Sequence, residues 1–261
     1  MLRAGTLDDF KSRTIDVVRR QPANSGERWL LFQLLCIDGE WDRAMCQLQA
    51  WALLEPDGEP RAQLYRELIR SESFRAAVFA GARTPGTIAA LPEWSNGLLR
   101  ANAKLNEGAH AESDALRAAA LDEAPVTRGA SPQTGPFEWL TDSDSRLGPL
   151  CEMVVASGYR WIPFDAMRSL TLMPVATLSD LVWRPATAVL RDSTVLRGYL
   201  PTRYPGVEHE PAEYRLARET AWTTLGHTAA VARGQKTWST DRGDFGMLDL
   251  HEFQFFDGVV A

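Results

Sequence analysis

From Leu7 to about Leu121, apolar side chains recur at three- and four-residue spacing, the pattern that lines one face of a helix, and no stretch alternates as a half-buried strand does. Phe10, Ile15 and Val18 make a first stripe. It stops at Gln21-Pro22, because a residue preceding proline is pushed out of the helical region. A denser stripe runs from Trp29 to Ile37, followed by Gly39-Glu40-Trp41-Asp42-Arg43-Ala44 and then Leu48, Trp51 and Pro56. A glycine lets the chain reverse between two antiparallel helices, Ala44 is small enough for them to touch, and Leu48 lies one turn further along the same face. This is the grammar of a tetratricopeptide repeat, with Leu in place of the usual Phe. The skeleton returns 69 residues later as Gly108-Ala109-His110, Ser113, Arg117 and Pro125, close to two ~34-residue periods. The unit between, around Tyr65 to Val78, lacks the glycine turn and is interrupted by Thr84-Pro85-Gly86 and Leu91-Pro92. The expectation is a repeat-like array, not three regular repeats.

The run APVTRGASPQTG, 124–135, is poor in large apolar residues and rich in Pro, Gly, Ser and Thr, and reads as a linker. Beyond it the pattern changes to short apolar stretches split by Gly, Pro and Asp. Leu150 to Val155, Ser157-Gly158 and Tyr159 to Ile162 predict a hairpin; Leu181 to Trp183, Thr187 to Leu190, Val195 to Leu200 and Leu248 to Phe256 predict further strands, and one helix fits from Pro211 to Arg218. The predicted fold class is therefore α+β: a TPR-like all-α domain over 1–125 and a Trp-rich, mainly antiparallel β domain over 136–261.

Composition narrows the function. With 45% hydrophobic and 24% charged residues the chain has the balance of a globular protein, so disorder is not the expectation. A net charge of -6, shared between the halves, provides no broad basic face for a phosphate backbone, which argues against nucleic acid. Cys36, Cys46 and Cys151 form no CxxC pair and read as small buried apolar thiols in a reducing compartment. The opening MLRAGTLDDFKSR builds no apolar segment of a secretory signal, and no run approaches the ~18 apolar residues of a membrane span. A cytoplasmic protein with no membrane partner is expected.

Candidate chemistry is sparse. None of His110, His209, His227 and His251 lies in a catalytic or zinc-binding string, and neither phosphate-cradling glycine motif occurs. Cys151 sits in an apolar run, where burial raises a thiol pKa and suppresses its reactivity. Asp142, Asp144 and Glu152 form a carboxylate cluster, but Arg146 stands among them and ion pairing or turn capping satisfies the same residues. The reading is a non-enzymatic protein with no cofactor and no metal. The alternative is a hydrolase with its site in the cleft between the halves, where a histidine would meet Cys151, Asp142 or Glu152.

Several ordered strings carry a resemblance. They are Asp144-Ser145-Arg146-Leu147-Gly148-Pro149 with Glu152, Gly158-Tyr159-Arg160-Trp161-Ile162-Pro163, Asp180-Leu181-Val182-Trp183-Arg184-Pro185, Leu200-Pro201-Thr202-Arg203-Tyr204-Pro205-Gly206, Arg218-Glu219-Thr220-Ala221-Trp222 and Arg233-Gly234-Gln235-Lys236. In order and spacing the chain resembles the ImpE family, also called TagJ or SciE, and Arg28 to Leu35, Gly39 to Ala44 and Gln47-Leu48 extend the likeness to the helical half. The resemblance implies an accessory or adaptor protein of the bacterial type VI secretion system, a contractile injection machine. Its implied partners are the N-terminal helix of the sheath small subunit and the ATPase that disassembles spent sheaths.

An amphipathic helix binds by laying its apolar face into a groove. Trp29, Gln33, Cys36 and Ile37 fall on the stripe opposite the face expected to pack on Trp41 and Ala44, and are the candidate groove. Trp139, Trp161, Trp183, Trp222 and Trp238 are expected mostly as core filling. Arg146, Arg184 and Arg218 are expected to pair with Asp144, Glu152 and Asp180, fixing loops more than binding partners.

Overall fold

Thr6 opens the first helix with a capping box, its hydroxyl accepting from the Asp9 amide while the Asp9 carboxylate accepts from its own. In the computed structural model, which describes residues 6–88 and 90–257, this helix is α1 (Leu7–Arg20). It is followed by α2 (Ser25–Ile37), α3 (Trp41–Leu54), α4 (Glu59–Phe79), α5 (Glu93–Asn106) and α6 (His110–Glu123). Among the described residues no helix is long and apolar enough to cross a membrane.

The two glycine turns foreseen 69 residues apart are built alike. Gly39 and Gly108 both have positive φ, 72° and 76°. In one, the Glu40 amide reaches back to the Leu35 carbonyl; in the other, the Ala109 amide reaches back to that of Lys104. Each is a left-handed C-terminal cap that releases the chain into the next antiparallel helix. The unit between them has lost its second helix: α4 runs alone for 21 residues. After it the chain crosses to the other half, where Gly86 bridges Arg160.

The remaining elements are β1 (Gly129–Ser131), β2 (Gly135–Phe137), β3 (Leu140–Asp142), β4 (Leu150–Val155), β5 (Gly158–Pro163), β6 (Met167–Leu172), β7 (Trp183–Leu190), β8 (Val195–Pro201), α7 (Ala212–Arg215), β9 (Thr220–Leu225), β10 (Ala229–Gly234), β11 (Thr237–Thr240), β12 (Gly243–Gly246) and β13 (Glu252–Phe255). An eight-stranded antiparallel sheet has the order β2-β1-β13-β6-β7-β8-β4-β5; β12-β11-β3 and β10-β9 form two smaller sheets. The α+β class is as expected, and β4 and β5 are the hairpin that was read, in register from Leu150 opposite Pro163 to Val155 opposite Gly158. Some strands differ. Leu181 closes a 3-10 turn, Leu178–Leu181, whereas Trp183 starts β7 and so joins Thr187 to Leu190 in one strand; the strand expected over Leu248 to Phe256 shrinks to β13, and the expected helix to α7.

Hydrophobic packing ignores the change from helix to strand. One cluster joins Leu31, Phe32, Leu35, Ile37, Leu68 and Phe79 of the helices to Leu150, Val154, Trp161, Val182 and Trp183 of the sheet. A second, with Met153, Phe164, Leu170, Trp238 and Phe253, lies on the far side of the strands. Strand β4 is buried on both faces, and so reads as an unbroken apolar run rather than an alternating one.

Candidate functional site

Alternation along β4 decides where its charge goes. Leu150 and Val154 face the helices and Cys151 and Met153 face the second core, so Glu152 points at the helical half. Opposite, α4 carries Leu68, Glu72, Arg75 and Phe79 along one buried stripe. Arg75 donates from Nε and Nη2 to the two Glu152 oxygens at 2.5 and 2.6 Å, and Nη1 lies 3.3 Å from Glu72. Lys236 Nζ sits 2.6 Å from Glu152 and 2.7 Å from Asp142. The Tyr159 hydroxyl donates to Glu152 at 2.8 Å, that of Tyr204 to Asp142 at 2.7 Å, and the Trp183 indole to Glu72 at 2.7 Å.

Charge balance sets the titration of this buried network. Burial works to raise the Glu152 carboxyl, but Arg75 and Lys236 outweigh it and hold it at about 2. Asp142 moves the other way, lifted by burial that Lys236 only partly offsets and by the neighbouring Asp144 charge. Arg203 lies beside the network and is cationic without an ion-pair partner among the described residues. Its guanidinium donates to the carbonyls of Cys36 and Ile37, at the C-terminal end of α2, and to that of Arg215. The last carbonyls of α2 carry the negative end of its dipole, and that of Cys36 also accepts from the Gly39 amide at 3.1 Å. Burial nonetheless lowers the Arg203 pKa to about 10.

Between α3, α4 and the segment after β8, a cavity of about 170 Å³ opens beside these groups, lined among others by Trp41, Glu72, Arg75, Arg203, Val207 and Glu208. The same boundary is crossed by other polar links. Gln33 donates to Ser179 at 3.0 Å, Asn102 to the Arg146 carbonyl at 2.9 Å, and Arg215 pairs with Asp8 and Asp38. At its other end Asp114 of α6 accepts from the amides of His227 and Thr228, both at 2.8 Å. The Thr228 hydroxyl and these amides hold the Asp114 pKa at about 2.

In chemical terms the arrangement engages its charged side chains with one another. Glu152 and Asp142 are committed to cations and phenols; Cys151 is buried, its thiol pushed far above the ordinary range, with its Sγ 3.8 Å from a backbone carbonyl. The His251 ring faces Arg184 at 3.0 Å. Among the described residues no three His, Cys, Asp or Glu side chains converge as a metal site would require.

A family model described as ImpE protein matches residues 134–254. A curated relative, the type VI secretion system accessory component TagJ of Pseudomonas aeruginosa, is 39% identical over 256 residues, covering 98% of this chain and 89% of the relative. The chain belongs to the ImpE family. The crystal structure of a Vibrio parahaemolyticus protein superposes with a TM-score of 0.87 at 23% identity, over 97% of this chain and 95% of that one, and so shares the fold.

The ImpE strings mostly build turns around the buried network. Asp144, wholly buried, accepts from Arg146 at 2.6 Å and from the Ala232 amide at 2.9 Å, as one expected ion pair. Gly148 takes a positive φ of 57° and its carbonyl accepts from the Asp142 amide; the Pro149 carbonyl accepts from Phe164. Trp161 donates to the Tyr159 hydroxyl, and Pro201 pairs with Trp183 across β7 and β8. Gly234 passes so close to the Glu219 carbonyl that a Cβ would sit 2.2 Å away. Thr220 and Gln235 are tied by a 2.8 Å hydrogen bond, and the half-exposed Trp222 donates to Ser143 at 3.0 Å.

Other expectations are corrected. Cys46 is exposed, whereas Cys36 and Cys151 are buried. Glu152 pairs with Arg75 and Lys236, not with a motif arginine; Asp180 caps its own turn through the Ala176 and Thr177 amides. Arg184 donates to the carbonyls of Met173 and Met247, and Arg218 is exposed. The proposed groove is closed. Gln33, Cys36 and Ile37 are buried under the sheet half, and only Trp29 keeps partial exposure, its ring 4.7 Å from that of Trp51. Glu72 and Arg75 were missed, although two charges inside the apolar stripe of α4 were the available signal.

Proposed function

We propose that this chain is a non-enzymatic accessory component of a type VI secretion system, acting in the cytoplasm as an adaptor for the N-terminal helix of the sheath small subunit and assisting the ATPase that recycles sheaths. The relation to TagJ across 98% of the chain carries this reading. The geometry agrees in kind: polar groups at the junction of the halves are engaged with one another, as in a shaped docking body. With Gln33, Cys36 and Ile37 covered, the mouth of the cavity beside Trp41, Pro205 and Val207 is the place we assign to an apolar anchor of the partner helix.

The hydrolase reading requires an imidazole against Cys151, Asp142 or Glu152. In their place stand Lys236, Arg75 and two tyrosines. The deciding experiment is a pull-down of the purified protein against the sheath small subunit, with and without its N-terminal helix. Capture of the full subunit and loss of the truncated one is the expected result; capture that ignores the helix sinks the adaptor reading.

A further inference from the structure

On the side of α4 away from the cavity, the β4–β5 turn closes over the helix and leaves a depression of about 260 Å³, lined by Arg70, Ser71, Phe74, Ser157, Gly158, Tyr159 and Arg160. A third guanidinium, Arg83, stands over the Phe74 ring at 5.5 Å. Two arginines thus line the hollow and a third stands over its Phe74, on a chain whose net charge is -6. Only Arg70 has an acidic partner, Glu67 at 2.6 Å; no carboxylate of the described residues pairs with Arg83 or Arg160.

Arg160 is held rather than free. Its Nη1 and Nη2 donate to the carbonyls of Tyr159 and Ser157 at 2.9 and 2.5 Å, and Gly86 packs so tightly against it that a Cβ there would lie 1.8 Å from Nη1. Its Nε is buried and has no acceptor. A buried donor without an acceptor is costly to keep, and a guanidinium fixed by carbonyls alone retains its whole charge. Of the three, Arg83 and Arg160 therefore lack a compensating carboxylate among the described residues, and Arg70 has only the exposed Glu67. An extended partner supplies what is lacking if it brings carboxylates, since arginine forks match carboxylate geometry and the Phe74 ring provides an apolar floor.

We propose that this hollow is a docking site for an acidic peptide segment of a protein partner, carboxylates meeting Arg70, Arg83 and Arg160. It is a surface separate from the cavity assigned to the partner helix, and stands or falls independently of that assignment. The test uses the full chain and a fluorescein-labelled hexaglutamate peptide, with inorganic phosphate titrated in parallel. Arg70 and Arg83 are exposed, so the R70E/R83E variant is expected to fold, which a circular-dichroism melt checks. The control R19E/R100E makes the same change in net charge at two other exposed arginines.

Saturable peptide binding that weakens with salt, falls by about tenfold or more in R70E/R83E and stays near wild type in the control is the expected outcome. Equal losses in both variants would show only long-range charge, and overturn the site. So would unaltered binding in R70E/R83E, no binding by the wild type, or phosphate binding without peptide binding. Should R70E/R83E melt early, R70Q/R83Q replaces it under the same criteria.

Discussion

Arg75 is the residue on which the junction turns, because among the described residues it is the helical half's one cation inside the Glu152 and Asp142 network. Removing one member of a buried ion pair leaves the other uncompensated, at a cost of about 3–5 kcal/mol. Arg75→Ala is expected to lower the urea midpoint by that equivalent, and a loss under about 1 kcal/mol would mean that the network relaxes around the gap. The pH dependence has a definite sign. Glu152 titrates at about 2 in the folded protein, down from 4.5, so its stabilisation is complete above about 4.5 and lost as pH falls towards 2. Asp142, displaced upwards, takes up its proton earlier on acidification when folded and partly offsets that loss. Urea midpoints between pH 5 and pH 2.5 are expected to fall more steeply in the wild type than in Glu152→Gln; parallel slopes would remove Glu152 as the titrating group. At this scale sequence reading found the carboxylates but mispaired them. Spacing along a chain cannot say that Glu152 meets a side chain 77 positions away.

At the scale of elements, the paired glycine turns are the clearest success of reading the chain. Left-handed backbone needs glycine, and each turn announces itself locally. Their surroundings differ, however. A Cβ on Gly39 would come within 2.7 Å of the Glu208 side chain, whereas around Gly108 nothing lies within 4 Å. Gly108→Ala should therefore cost only the backbone term, about 1–2 kcal/mol, and Gly39→Ala more. Thermal melts of the two, and of Gly39→Ala combined with Glu208→Ala, check this: the extra loss should vanish in the double variant. The short strands β1 to β3 and β9 to β12 are not legible in the sequence: β1 lies within the Pro- and Gly-rich run 124–135, and the others are three to six residues long. Thr220 to Leu225 is largely exposed on a two-stranded ribbon, so it lacks the alternation that a buried face imposes. Pro185, a residue that ordinarily demotes a strand, sits within β7 and interrupts its sequence signal between Trp183 and Thr187.

For the whole molecule, we propose 1–125 and 136–261 as segments of different architecture, the expected linker 124–135 being drawn partly into the sheet as β1. A single hydrophobic cluster runs through both, and Arg75, Gln33 and Asp114 each reach across. Cooperativity follows contact, not secondary structure, so one unfolding transition is expected, with far-UV ellipticity and tryptophan fluorescence coinciding across urea. Two separated transitions would show independent folding units. The closed groove has the same origin: the face of α2 that looked available to a partner is the face that the sheet half covers.

The sequence by itself determined the change from helical to strand-forming pattern, the two glycine turns, the β4–β5 hairpin and the family likeness, because each is written in neighbouring residues. Tertiary structure alone decided which apolar stripes would be covered, that Glu152 faces Arg75, and that Arg70 of α4 and Arg160 of β5 line one hollow with Arg83 over its Phe74. Those depend on which surfaces meet, and periodicity states only that a face must be buried, never against what.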